Sequence, residues 1–118
     1  MSTNIYSSEE RKAIANEMLA QLGGRGFMVM VGARMPIYFE RDGKVVLRMA
    51  IGKNSHSINR FEIAYNEGQD LYELRFIRQR KDVDKVVKEY KGVYCDMLSS
   101  LFEQETGMAT RMPMVFVV

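Results

Sequence analysis

The chain reads as a single α+β domain: a helix, an antiparallel meander of four to five strands, and a second helix, with both helices on one sheet face. Three observations predict it. Apolar residues Ala13, Ile14, Met18, Leu19 and Leu22 recur at helical spacing behind a polar start. Two strand–turn–strand units follow, one of them marked by Arg41-Asp42-Gly43-Lys44. Helical spacing then returns near residue 94 and stops at Gly107. Strands in a run, bracketed by helices, give an antiparallel sheet with its helices segregated to one side.

Taken in order, Ser7 with Glu10 has the spacing of a capping box, and Gly23-Gly24 ends the first helix. The next segment, about Gly26 to Ala33, is apolar at Phe27, Met28, Val29, Met30 and Val31. A run apolar on both faces predicts a covered strand. Asp42-Gly43 lies between Ile37-Tyr38-Phe39 and Val45-Val46-Leu47, the pattern of a tight hairpin whose central residues need positive φ. The second strand runs to about Ile51, and Gly52 to Ser57 is a polar loop.

The following hairpin can be placed in register. Phe61, Ile63 and Tyr65 alternate on one strand, and Tyr72, Leu74 and Phe76 on the next. Pairing Tyr65 with Tyr72 sets Ile63 opposite Leu74 and Phe61 opposite Phe76, with Glu62 opposite Arg75 on the other face. A slip of one residue would expose every apolar side chain. A basic turn, Arg78 to Asp82, leads to a last strand from about Lys85 to Tyr90, broken by Gly92. The closing helix, about Tyr94 to Glu105, carries Tyr94, Met97, Leu98, Leu101 and Phe102 on its core stripe. Residues 108–118 form an extended tail or an added strand, ending Val115-Phe116-Val117-Val118.

Length and composition bound the function. With 118 residues the chain makes one domain, and 47% apolar residues against 27% charged argue for a packed core rather than disorder. Ten methionines fill irregular core gaps or make an adaptable binding surface. A net charge of +2 does not by itself imply a polyanionic partner. The one cysteine, Cys95, cannot form an internal disulfide, and Ser7 to Lys12 is polar where a signal peptide needs an apolar core. No apolar run approaches the roughly 20 residues of a membrane span. The expected compartment is the cytoplasm, with no membrane partner.

Residues that could carry reaction chemistry are sparse. Gly23-Gly24-Arg25-Gly26 follows a helix, the reverse of the strand-to-helix order of a phosphate loop. His56, the only histidine, stands between two serines in a loop and reads as solvated. Cys95 falls just inside the closing helix, where the helix N-terminus can lower a thiol pKa; Asp96 opposes that, and a buried small hydrophobe is the simpler reading. Asp82 and Asp84 read as turn formers and Asp96 as a charge suited to a helix start. Neither a catalytic residue, a metal site nor a cofactor is expected, and the chain reads as a non-enzyme. A small thiol-dependent enzyme using Cys95 or His56 is the alternative class.

Binding is better supported. Arg75, Arg78, Arg80 and Lys81, with Lys53, are the candidate nucleic-acid contacts, and Arg60 and Arg25 could extend that patch. Sheets presenting arginines and aromatics bind single strands by phosphate contact and stacking. The register places Phe61, Tyr65, Tyr72 and Phe76 on the core face, and the remaining face mixes signs (Arg60, Glu62, Glu73, Arg75, Glu89), as a solvated sheet with cross-strand ion pairs does. The apolar terminus Val115, Phe116, Val117 and Val118 is the candidate protein-interaction patch, toward a host protein or a second copy in a homodimer.

Four segments together resemble a family of small proteins encoded by bacteriophages and other bacterial mobile elements. They are Leu22-Gly23-Gly24 with Phe27 and Gly32-Ala33; Ile58-Asn59 with Ile63; Asp70-Leu71-Tyr72 with Phe76; and Tyr90-Lys91-Gly92-Val93-Tyr94-Cys95-Asp96-Met97-Leu98 with Phe102 and Thr106-Gly107. The likeness spans about Gln21 to Arg111. It departs between Met35 and Lys44, where the hairpin is enlarged, and in the tail. The resemblance implies a context, phage or mobile DNA, and assigns no catalytic residue. The expectation is a non-enzymatic accessory protein that binds a macromolecule, either a host protein or a nucleic acid.

Overall fold

Capping and apolar spacing set the first helix, and the computed structural model, which describes residues 5–110, starts it where those signals fall. Helix α1 spans Ser8–Leu22, with Ser7 accepting from the Glu10 amide and Glu10 returning the bond to the Ser7 amide. Ala15, Met18 and Leu22 are its buried face. Gly23, at φ 124°, ends it.

The segment expected as a strand from Gly26 to Ala33 is instead a second helix, α2, over Gly24–Val31. Phe27 and Val31, one helical turn apart, are buried, while Val29 is 71% exposed. A short apolar run fits a buried strand and a buried helix equally well by periodicity. Gly32 closes α2 in the left-handed conformation at φ 61°. Val31's carbonyl then accepts from the Gly52 amide at 2.8 Å, which docks the helix end on the sheet's far loop.

Five antiparallel strands follow in a meander ordered β1-β2-β3-β4-β5: Arg34–Arg41, Lys44–Ala50, Arg60–Asn66, Leu71–Arg80 and Val83–Val93. Asp42 and Gly43, at φ 54° and 74°, make the β1–β2 turn with both central residues left-handed. The β3–β4 register is the one its apolar alternation demands, with Tyr65 against Tyr72, Ile63 against Leu74, Phe61 against Phe76 and Glu62 against Arg75. Strand β4 runs through Arg78 and Arg80, so the basic segment is mostly strand, and the turn itself is only Lys81-Asp82. Strand β5 continues past Gly92, which takes φ 65° inside a register shift instead of ending the strand.

After β5 comes a short 3₁₀ turn, Cys95–Met97, and then helix α3, Leu98–Thr106, so the closing helix starts one turn later than its spacing suggests. Leu98 and Phe102 are buried; Tyr94 and Met97, expected on the core stripe, are 62% and 40% exposed. The core lies between the three helices and one sheet face. Phe102 packs edge-on to Phe61 and Phe27, with ring centroids 5.0 and 5.1 Å apart. Met18, Leu22, Val31, Val45, Leu47, Met49, Ile63 and Leu74 complete it. Met49 lies in this core, but Met28 and Met30 are on α2, half-buried against it, and Met35 on β1 is exposed.

The opposite face is not simply solvated. Glu62 is 2% exposed and accepts from Arg41 at 2.7 Å and from Arg48 at 2.9 Å. Arg48 also makes a paired contact with Asp84 on β5, at 2.8 and 3.1 Å. Strands β3 and β4 lie between those two residues. Neighbouring strands stand about 4.8 Å apart, so a flat sheet would hold β2 and β5 roughly 14 Å apart. The contact requires the sheet to curl toward this face. The register shift between Phe76 and Ile77 inserts an extra residue into β5, and a bulge of this kind bends its strand.

Residues Val115, Phe116, Val117 and Val118, and most of the 108–118 tail, lie outside the described residues. Among the described residues, no helix is long and apolar enough to cross a membrane.

Candidate nucleic-acid interface

An antiparallel meander brings the start of each odd strand and the end of each even strand to one end of the sheet. That end collects Arg34 from the start of β1, the 51–59 loop after β2, and Arg78 and Arg80 from the end of β4. Together they line a groove of about 490 Å³.

The loop owes its shape to two asparagines. The Asn54 side chain donates to the carbonyls of Gly52 and Ile58 at 3.0 and 2.6 Å and accepts from the amides of His56 and Ile58. It closes the loop on itself as an Asx turn does. Asn59 exchanges two side-chain bonds with the backbone of Gln79, at 2.7 and 2.8 Å, and so extends the β3–β4 ladder one step beyond β3. Arg78 lies against this loop and donates to the carbonyls of His56 and Ser57 at 3.0 and 3.3 Å. A guanidinium has five N–H donors, so Arg78 is oriented by two contacts and keeps donors for a ligand.

The electrostatics are one-signed. Arg34, Lys53, Arg78 and Arg80 line the groove, and among the described residues none that lines it is acidic. A neighbouring depression, lined by Arg25 and Arg34, continues the line of cations onto α2. Among the described residues none of these five cations is in an ion pair; the pairs involve Arg11, Arg41, Lys44, Arg48 and Arg75. A run of uncompensated cations over several residues suits a chain of phosphates.

The candidate contacts named from the sequence therefore divide. Lys53, Arg78 and Arg80 come together in the groove. Arg75 stands on the other sheet face, ion-paired with Glu89, because side chains three residues apart on a strand point to opposite sides. Arg60 donates to its neighbour's carbonyl on that same opposite face. Lys81 occupies the β4–β5 turn at φ 56° and does not line the groove. Arg34 escaped notice: it stands alone in the sequence, and only the pairing of β1 with β2 carries it to the loop. Among the described residues no aromatic lines the groove, so these residues offer bases no stacking platform.

The other chemical candidates lie apart. Cys95 is exposed in the 3₁₀ turn, contrary to the buried-thiol reading, because the chain leaves β5 before α3 begins. His56 is exposed in the 51–59 loop beside the groove. Among the described residues no three His, Cys, Asp or Glu side chains converge as metal ligands do. A cavity of about 760 Å³ beside Leu22, Phe27 and Val29 is mainly apolar, and among the described residues Arg25 is the one charged group lining it. Comparison with protein-family models, curated proteins and solved structures finds no match for the chain.

Proposed function

We propose that this protein is a non-enzymatic nucleic-acid-binding accessory protein that grips the sugar–phosphate backbone in the basic groove at one end of its sheet. The observation that carries this is the line Arg25, Arg34, Lys53, Arg78 and Arg80, which has no carboxylate among the groove's lining residues. Phosphate contacts position a protein on nucleic acid and carry no sequence information, and the groove lacks aromatics and has few neutral polar groups to read bases. Binding with little sequence preference is the expectation. The resemblance to phage and mobile-element proteins supplies a setting rich in such a partner, and it belongs to the same proposal.

A salt titration tests it. With three to five phosphates neutralised, log K against log salt should fall with a slope of about −2.7 to −4.5 on duplex DNA. Lys53→Glu and Arg80→Glu, both at exposed positions, should each flatten that slope by about one or more and weaken all sequences alike. Absence of binding to single- and double-stranded DNA and RNA at low salt would overturn the proposal, as would slopes unchanged in both variants.

A further inference from the structure

The opposite end of the sheet carries a second surface with the reverse chemistry. There the last turns of α1, the β3–β4 turn and the exit of β5 enclose a cleft of about 570 Å³. Tyr65, Tyr72 and Tyr94 line it together with Glu17, Asp70 and Cys95, and among the described residues no basic side chain lines it. Tyr65 and Tyr72 form one aromatic wall, ring centroids 5.4 Å apart and tilted by 44°. The Tyr65 hydroxyl donates to Asp70 at 2.6 Å, which holds that carboxylate at the cleft mouth. Burial, and after it the charges of Glu17, Cys95 and Asp70, hold the Tyr72 phenol above its ordinary value, so both carboxylates act on the same spot. Tyr94 stands at the rim, 62% exposed although its neighbour Val93 is buried. The core has no use for that ring.

Aromatic faces attract cations through their quadrupole, and a carboxylate beside them adds direct charge. We propose that this cleft binds an organic cation, an ammonium or guanidinium group, with Tyr65, Tyr72 and Tyr94 contacting it and Glu17 and Asp70 pairing with its charge. The group comes either as a free small molecule or as a lysine or arginine side chain of a partner. This site is independent of the nucleic-acid reading: it lies at the other sheet end and takes the opposite charge.

Cys95 makes the test direct, because it is the only cysteine, is exposed and lines the cleft. Its alkylation by neutral iodoacetamide should be slowed, saturably, by tetramethylammonium and by butylguanidinium. The neutral isostere 3,3-dimethylbutanol and sodium chloride at matched ionic strength should give no saturable slowing. Tyr94→Ala, at an exposed position, should weaken the protection about two- to fivefold, as loss of one exposed cation–π contact does. Glu17→Gln with Asp70→Asn should remove it, with protection in this variant read as the ratio of its own alkylation rates without and with cation. Asparagine accepts the left-handed backbone of position 70, φ 54°, so that variant keeps its turn. A short lysine- or arginine-containing peptide that protects at far lower concentration than the free cations identifies a protein source; equal potency identifies a small molecule. No saturable protection by any cation, or equal protection by the alcohol, overturns the site.

Discussion

Glu62 shows how one residue can be paired as expected along a strand and still play a different part in the molecule. Its backbone lies opposite Arg75, but its carboxylate turns to Arg41 and Arg48, and it is 2% exposed. Removing one member of a buried ion pair leaves an uncompensated charge, which costs about 3–5 kcal/mol. Arg48 keeps Asp84 when Glu62 is lost, so Glu62→Ala should destabilise by about 3 kcal/mol, toward the lower end of that range, in a urea unfolding curve. Arg41→Ala should cost far less, since Arg41 is 34% exposed and Glu62 retains Arg48. Equal effects of the two would mean that Glu62 is solvated. The alternation of β3 showed that Glu62 faces away from the core. It could not show burial there, because that depends on arginines reaching over from strands distant in sequence.

At the scale of elements, α2 is the instructive case. Its eight residues hold five consecutive apolar positions, and nothing in that pattern separates a buried strand from a buried helix. Two glycines test the helix and its left-handed stop. Gly26 has an ordinary φ and open space around an added Cβ, so Gly26→Ala should stabilise the helix by about 0.5–1 kcal/mol. Gly32 sits at φ 61°, and a Cβ there would press on Gly52 backbone atoms 3.4 Å away. Gly32→Ala should therefore cost at least about 1–2 kcal/mol. Thermal unfolding of the two variants reads both signs, and a gain or no change from Gly32→Ala would contradict the left-handed stop that ends the helix. By contrast the β1–β2 turn and the β3–β4 register were legible throughout. Their signals are local: two residues that accept positive φ, and an alternation that only one register satisfies.

At the scale of the molecule, three tyrosine–carboxylate bonds among the described residues tie separate parts of the chain. Tyr6 donates to Glu67, Tyr65 to Asp70 and Tyr90 to Glu105, each at 2.6 Å, joining the N-terminal segment to the β3–β4 turn, closing that turn, and fastening β5 to α3. Each hydrogen bond, helped by desolvation and the carboxylate's charge, pushes its phenol up to about 12 from 10.0. A group whose pKa is raised on folding contributes stability that is present below its unfolded value and lost above. The protein should hold its stability up to about pH 10 and lose it progressively toward pH 12. A pH series of urea midpoints checks this, and Tyr90→Phe should flatten the decline. A flat profile from pH 9 to 12 would contradict the three bonds. The two charged surfaces also exist only at this scale. A net charge of +2 averages a cationic groove at one sheet end with an acidic aromatic cleft at the other. The amino-acid sequence by itself determined what near neighbours decide: the α1 cap, the left-handed Asp42-Gly43 turn, the apolar alternation that pairs β3 with β4, and the α+β class that follows. Tertiary structure alone decided that α2 is a helix, that β5 curls over to deliver Asp84 to Arg48, and that Arg34 joins Arg78 while Arg75 turns away. Those outcomes rest on contacts between residues tens of positions apart, whose energies depend on shared burial and strand curvature rather than on any local preference.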